Sequence, residues 1–129
     1  MNINKVLVTG DRTWEAKDVI MKVLQELKPK LVIQGGVRGA DTFAKMCAVI
    51  LKIPCKEYIA NWTKYGKAAG PLRNREMIDK EKPELVVAFH DNLAKSKGTK
   101  NMVMLANNRG VPVYLYNSSG EVQYNYTIL

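Results

Sequence analysis

Short runs of β-branched and aliphatic residues alternate along the chain with longer segments whose apolar positions recur every three or four residues. The short runs are "KVLVT" (5–9), "KLVIQ" (30–34), "IPCKEYI" (53–59), "PELVVAF" (83–89) and "VPVYLY" (111–116), and they predict strands. Between the first two, "WEAKDVIMKVLQELK" (14–28) places Val19, Ile20, Val23, Leu24 and Leu27 on one helical face, and Pro29 stops it. "ADTFAKMCAVILK" (40–52) predicts a second helix. "PLRNREMIDKE" (71–81) predicts a third, with Pro71 suited to a first turn, and "GTKNMVMLANNRG" (98–110) a fourth, ended by Gly110. Residues 117–120 predict a turn into a weak C-terminal edge strand, "EVQYNY" (121–126).

Alternating strands and helices with apolar strands imply an α/β fold. The pattern is that of a mainly parallel, doubly wound sheet of about five strands with helices on both faces. At 129 residues, residues 1–129 are expected to form one domain with a proper core. There is no internal repeat, and the longest irregular stretch is "ANWTKYGKAAG" (60–70). The N-terminal residues run directly into a strand pattern and no apolar run approaches membrane-spanning length, so a cytoplasmic protein without a membrane partner is expected. Cys47 and Cys55 lack metal-ligand or CxxC spacing and are expected as reduced thiols. One histidine and scattered carboxylates supply no metal set.

Charge changes the picture more. Twenty Lys and Arg against twelve Asp and Glu give +8, a balance that suits an anionic partner. Four segments that follow strands then attract notice, because ligands of such sheets collect at the strands' C-terminal ends. In "TGDR" (9–12), Gly10 permits a tight exit, while Asp11 and Arg12 offer an acceptor and a fixed cation; Asp11 could equally cap the next helix. In "GGVRGAD" (35–41), Gly35, Gly36 and Gly39 would let backbone N–H groups meet a phosphate at a helix start, with Arg38 adding a bidentate contact. The competing explanation is close packing of helix on strand.

In "NWTKYGKAAGPLRNREM" (61–77), Gly70 and Pro71 precede Arg73 and Asn74 in a helix's first turn, where a cation opposes the dipole and calls for an anion. Trp62 and Tyr65 could stack on a base or pin the loop to the core. In "KSKGTKNM" (95–102), Gly98 and Thr99 supply N–H groups and a hydroxyl, and the alternative is a solvated turn.

These motifs, with "VLVTGDR", "GGVRGADTFA", "NWTKYGKAAGPLRNREM" and "GTKNMV" in this order and spacing, resemble the YspA-like (cpYpsA-related) branch of the SLOG superfamily, the relatives of the DNA-processing protein Smf/DprA and the cytokinin-activating LOG proteins. The resemblance runs from about residue 5 to residue 116. It implies a Rossmann-like three-layer sandwich that binds nucleotides or nucleotide-derived ligands, a bacterial or phage origin, nucleotide signalling and a homo-oligomer. Carried over, it places Gly10 and Arg12 in the first phosphate-facing turn and Gly35, Gly36, Arg38, Gly39 and Asp41 in the second. Gly70, Arg73, Asn74 and Met77 would start the third helix, and Gly98 and Thr99 the fourth.

One departure matters. LOG enzymes carry "PGGxGTxxE", whereas this chain has Met102 where the glutamate would stand, and glycoside cleavage normally needs a carboxylate. Asp41, Glu76 and His90 remain as acid–base candidates. The leading expectation is a protein that binds a phosphorylated nucleotide-type ligand, of ADP-ribose or cyclic-nucleotide type, as sensor or sequestering protein, with no other cofactor. A LOG-like nucleotide hydrolase and a DprA-like binder of single-stranded nucleic acid, using Trp62 and Tyr65 for stacking, are the alternatives. Met102, Val103 and Leu105 could face either a core or an interface.

Overall fold

A computed structural model describes residues 3–128. Six strands form one sheet in the order β3-β2-β1-β4-β5-β6: β1 (Lys5–Gly10), β2 (Leu31–Gln34), β3 (Cys55–Glu57), β4 (Leu85–Phe89), β5 (Val113–Tyr116) and β6 (Val122–Gln123). The first five are parallel and β6 pairs antiparallel with β5, as the expected edge strand. The chain leaves β1 outward through β2 to β3, then returns to pair β4 with β1, so the strand order reverses between β1 and β4. This is a doubly wound, Rossmann-like topology.

The period-two alternation of the strands decides the two layers. Val6 and Val8 of β1, with Leu85, Val87 and Phe89 of β4, face α1 (Lys17–Leu27) and α2 (Ala40–Leu51). Leu7, Val86 and Ala88 face α4 (Ala69–Glu81) and α5 (Gly98–Asn108). Small residues on the inner face of α2 (Ala40, Ala44, Cys47 and Ala48) are fully buried, which lets that helix sit close to the sheet and to α1. Met102 and Val103 are fully buried in the second layer, so they belong to the core rather than to an interface; Leu105 packs partly buried against them.

Two segments differ from the sequence expectation. Residues 14–16 are not helical: the Trp14 backbone N–H bonds the Asp11 carbonyl at 3.1 Å and its indole N–H bonds the Ala16 carbonyl at 2.9 Å. The buried ring packs on Phe89, with centroids 5.6 Å apart, so burial of an aromatic holds this stretch in a turn. The supposedly irregular residues 60–70 contain a one-turn helix, α3 (Trp62–Tyr65), and a 3₁₀ turn (Gly66–Ala68) that leads into α4 two residues ahead of Pro71. The Asn61 side chain accepts the Lys64 N–H at 3.0 Å and caps that turn.

Candidate functional site

All four segments singled out from the sequence follow the C-terminal ends of parallel strands, but they have two different fates. The β1 and β2 exits meet directly. The Ala40 N–H at the start of α2 bonds the Asp11 carbonyl at 3.1 Å, and Gly39 lies against the Asp11 and Arg12 backbone. A Cβ on Gly39 would stand 2.3 Å from the Asp11 oxygen, and its φ of +80° is already a glycine conformation. This glycine therefore brings protein onto protein, as the packing explanation required.

The amides of the second loop are occupied from within. The Asp41 Oδ2 accepts the Gly35 N–H at 3.0 Å and the Val37 N–H at 3.3 Å, while the Gln34 Oε1 accepts the Gly36 N–H at 2.5 Å. Asp41 sits in the first turn of α2, buried, where its charge also suits the helix dipole. Burial pushes its carboxyl up to about 6, against the pull of the two N–H bonds and of Arg73.

Arg73 is likewise engaged. Its Nη1 donates to the Gly35 carbonyl at 2.6 Å and its Nε to the Asn74 Oδ1 at 2.9 Å. Burial lowers the guanidinium from its ordinary value while Asp41 opposes that shift. Buried Asn74 donates onward to the Gly98 carbonyl at 3.3 Å and to the Asn101 Oδ1 at 3.0 Å, which joins the start of α4 to the start of α5. The Thr99 N–H is capped by the Ser96 hydroxyl at 3.0 Å, and its side chain is buried. Gly70 lies in the first turn of α4 beside the Trp62 ring. Because α4 begins at Ala69 rather than Pro71, Arg73 and Asn74 lie in its second turn and not the first, and the partner of the Arg73 cation is a backbone carbonyl.

The acid–base candidates are distributed differently. Glu76 is exposed and pairs with Lys80 one turn on, at 3.3 Å. His90 accepts the Asn92 N–H on Nδ1 at 2.9 Å, and its Nε2 lies 3.8 Å from the Asp11 Oδ2. Asp11 caps no helix. Its Oδ1 instead accepts the Thr13 N–H and hydroxyl at 2.9 and 2.8 Å, closing a turn after β1. Burial would raise its carboxyl, but these bonds, with His90 and Arg12, hold it below the usual value.

One open cleft of about 400 Å³ remains beside the β1 and β2 exits, lined by Arg12, Thr13, Trp14, Glu15, Arg38, Gly39, Thr42 and Phe43. It gathers Arg12, Arg38 and Gly39 from the candidates. Arg12 and Arg38 are exposed, and neither forms a salt bridge among the described residues. Trp62 and Tyr65 lie outside this cleft, exposed on α3, with the Lys64 ammonium 5.1 Å from the Tyr65 ring centre. Glu15, Thr13, Thr42 and Phe43 carried no sequence signal, since they fall in a turn and on ordinary helix positions. Among the described residues no cluster of His, Cys, Asp and Glu could hold a metal ion, and no helix is long and apolar enough to cross a membrane.

A model of the YspA, cpYpsA-related SLOG family matches residues 4–65, a span that contains both loops of the cleft. The chain is also 31% identical over 121 residues to the Gene 61 protein of Mycobacterium phage D29, which covers 86% of this chain and 94% of that one. The chain belongs to the YspA, cpYpsA-related SLOG family. Its fold is similar to that of DNA processing protein A (DprA) from Streptococcus pneumoniae, with a TM-score of 0.70 at 20% identity over 88% of this chain. The chain spans 50% of the length of that SLOG structure.

Proposed function

We propose that this SLOG domain binds a phosphorylated nucleotide or nucleotide-derived ligand, with the anionic group seated between Arg12 and Arg38. The observation that carries this is a pair of exposed arginines without acidic partners on one cleft at the start of α2. Guanidinium groups match phosphate oxygens bidentately, and the helix dipole adds to their field. The filled amides of residues 35–37 support this placement, because a phosphate there would have to displace the Asp41 carboxylate. The protein then acts as a sensor or a sequestering protein in a cytoplasmic, bacterial or phage setting; self-association fits this role. The cleavage reading has less support, since Glu76 faces solvent, Asp41 accepts two backbone N–H groups and the His90 Nδ1 is taken by the Asn92 N–H.

Calorimetry against a panel including ADP-ribose and cyclic nucleotides tests the reading, with products checked by chromatography. Binding that is lost in Arg12→Ala and Arg38→Ala is the expected outcome; equal binding by wild type and both variants would sink it. A second reading, single-stranded nucleic acid, draws on the exposed Trp62 and Tyr65 beside Lys64 and on the name of the DNA-processing neighbour. It requires an affinity that falls steeply with salt and with Trp62→Ala.

A further inference from the structure

The hydrogen-bonding capacity of the cleft is unevenly divided, and the division bears on the kind of ligand it takes. Its side-chain donors without a partner among the described residues are on Arg12 and Arg38. The hydroxyls of Thr13 and Thr42 have each already donated inward, Thr13 to the Asp11 Oδ1 at 2.8 Å and Thr42 to the Val37 carbonyl at 3.1 Å. Toward the cleft these two oxygens can therefore only accept. Glu15 is the one carboxylate lining the cleft; it is exposed and forms no salt bridge or side-chain hydrogen bond among the described residues. An acid beside two phosphate-seeking arginines weakens the capture of a bare anion. It is useful for a ligand that brings hydroxyl donors along with its charge.

We propose that Glu15 is a specificity residue that accepts hydroxyl hydrogens from the sugar of a phosphorylated ribose, whose phosphate lies on Arg12 and Arg38. This inference rests on the anion-binding reading above and narrows it to ribose phosphates. Thr13 and Thr42 add acceptors, and the partly buried Phe43 adds apolar lining for the sugar's carbon face. A carboxylate that accepts two hydroxyl protons favours the diol over its deoxy analogue by about tenfold. Removing its charge has the opposite effect on a bare anion, because the arginines then act unopposed.

The test is calorimetric titration of the full chain with ribose 5-phosphate, 2-deoxyribose 5-phosphate and inorganic phosphate, using wild type, Glu15→Gln and Arg38→Ala. The expected result is about a tenfold preference for ribose over deoxyribose phosphate in wild type, reduced to about one in Glu15→Gln. Inorganic phosphate should bind Glu15→Gln no more weakly than wild type. Arg38→Ala should lose all three ligands. Arginine-dependent phosphate binding with no sugar preference, or a preference that survives Glu15→Gln, overturns the role of Glu15 and leaves the anion site standing. No arginine-dependent binding of any ligand overturns both. Thermal melts of each variant, expected to match wild type because Glu15 is exposed, exclude unfolding as the cause of a loss.

Discussion

The exits of β1 and β2 and the starts of α4 and α5 look alike as sequence, each offering glycine followed by a cation at the start of a helix. Their arginines are used differently. Arg73 is held between a carbonyl of the β2–α2 loop and the Asn74 amide, whereas Arg12 and Arg38 stand over an open cleft without acidic partners. The same residue type in the same local setting is a brace in one place and a free donor in the other. What separates them is reach. Arg73 lies on a helix on the opposite face of the sheet, close enough to the end of β2 to meet Gly35, while Arg12 and Arg38 are exposed at the cleft.

Substitutions should separate the two regions, beginning with the contact that holds the cleft's loops together. Gly39→Val places a Cβ on the Asp11 carbonyl and forces a β-branched residue to a positive φ. A loss of about 3 kcal/mol or more in urea unfolding is expected. Arg73→Ala leaves the Gly35 carbonyl and the Asn74 amide oxygen short of a donor and should cost about 2 kcal/mol by the same measurement. Arg12→Ala and Arg38→Ala should each change stability by less than about 0.5 kcal/mol while removing ligand binding. Were Arg38→Ala to destabilise the fold as much as Arg73→Ala, the division between brace and donor would collapse.

Asp41 sharpens the comparison through pH. Its folded carboxyl titrates at about 6 against 3.8 for the ordinary group. Between those values the native chain holds a proton that the unfolded chain has released, so this group's contribution to stability falls as pH rises through that window. At pH 7 the buried charge costs the fold about 3 kcal/mol relative to acid conditions. Wild type should therefore gain stability over Asp41→Asn as the pH is lowered from 7 to 5, in parallel urea titrations. A constant difference between the two would show that Asp41 titrates normally. The smallest effect belongs to Glu76→Gln, which removes only an exposed pair with Lys80 and should shift stability by about 0.3 kcal/mol.

The layers of the fold were legible because strand alternation and helical spacing are local, and each apolar position has only one face to occupy. Residues 14–16 and 62–68 were misread for the opposite reason. A buried Trp14 ring and an Asn61 cap decide those backbones through particular contacts that no periodicity records. At the candidate site, Arg12 and Arg38 were legible as cations placed after strands and Gly39 only through its packing explanation, while the partners of Asp41 and Arg73 were not legible. Glu15, Thr13 and Thr42 gave no signal because they acquire meaning only when the β1 exit is folded against α2.

The single residue Gly35 then carries a structural consequence. Its N–H is tied to Asp41 of α2, on one side of the sheet, and its C=O to Arg73 of α4, on the other. Gly35 is thus a short crossbar across the end of β2 and carries a hydrogen-bonded link from the start of α2 to α4. From there Asn74 extends it to the start of α5. The starts of α2, α4 and α5 are thereby joined across the end of the sheet by one continuous run of hydrogen bonds.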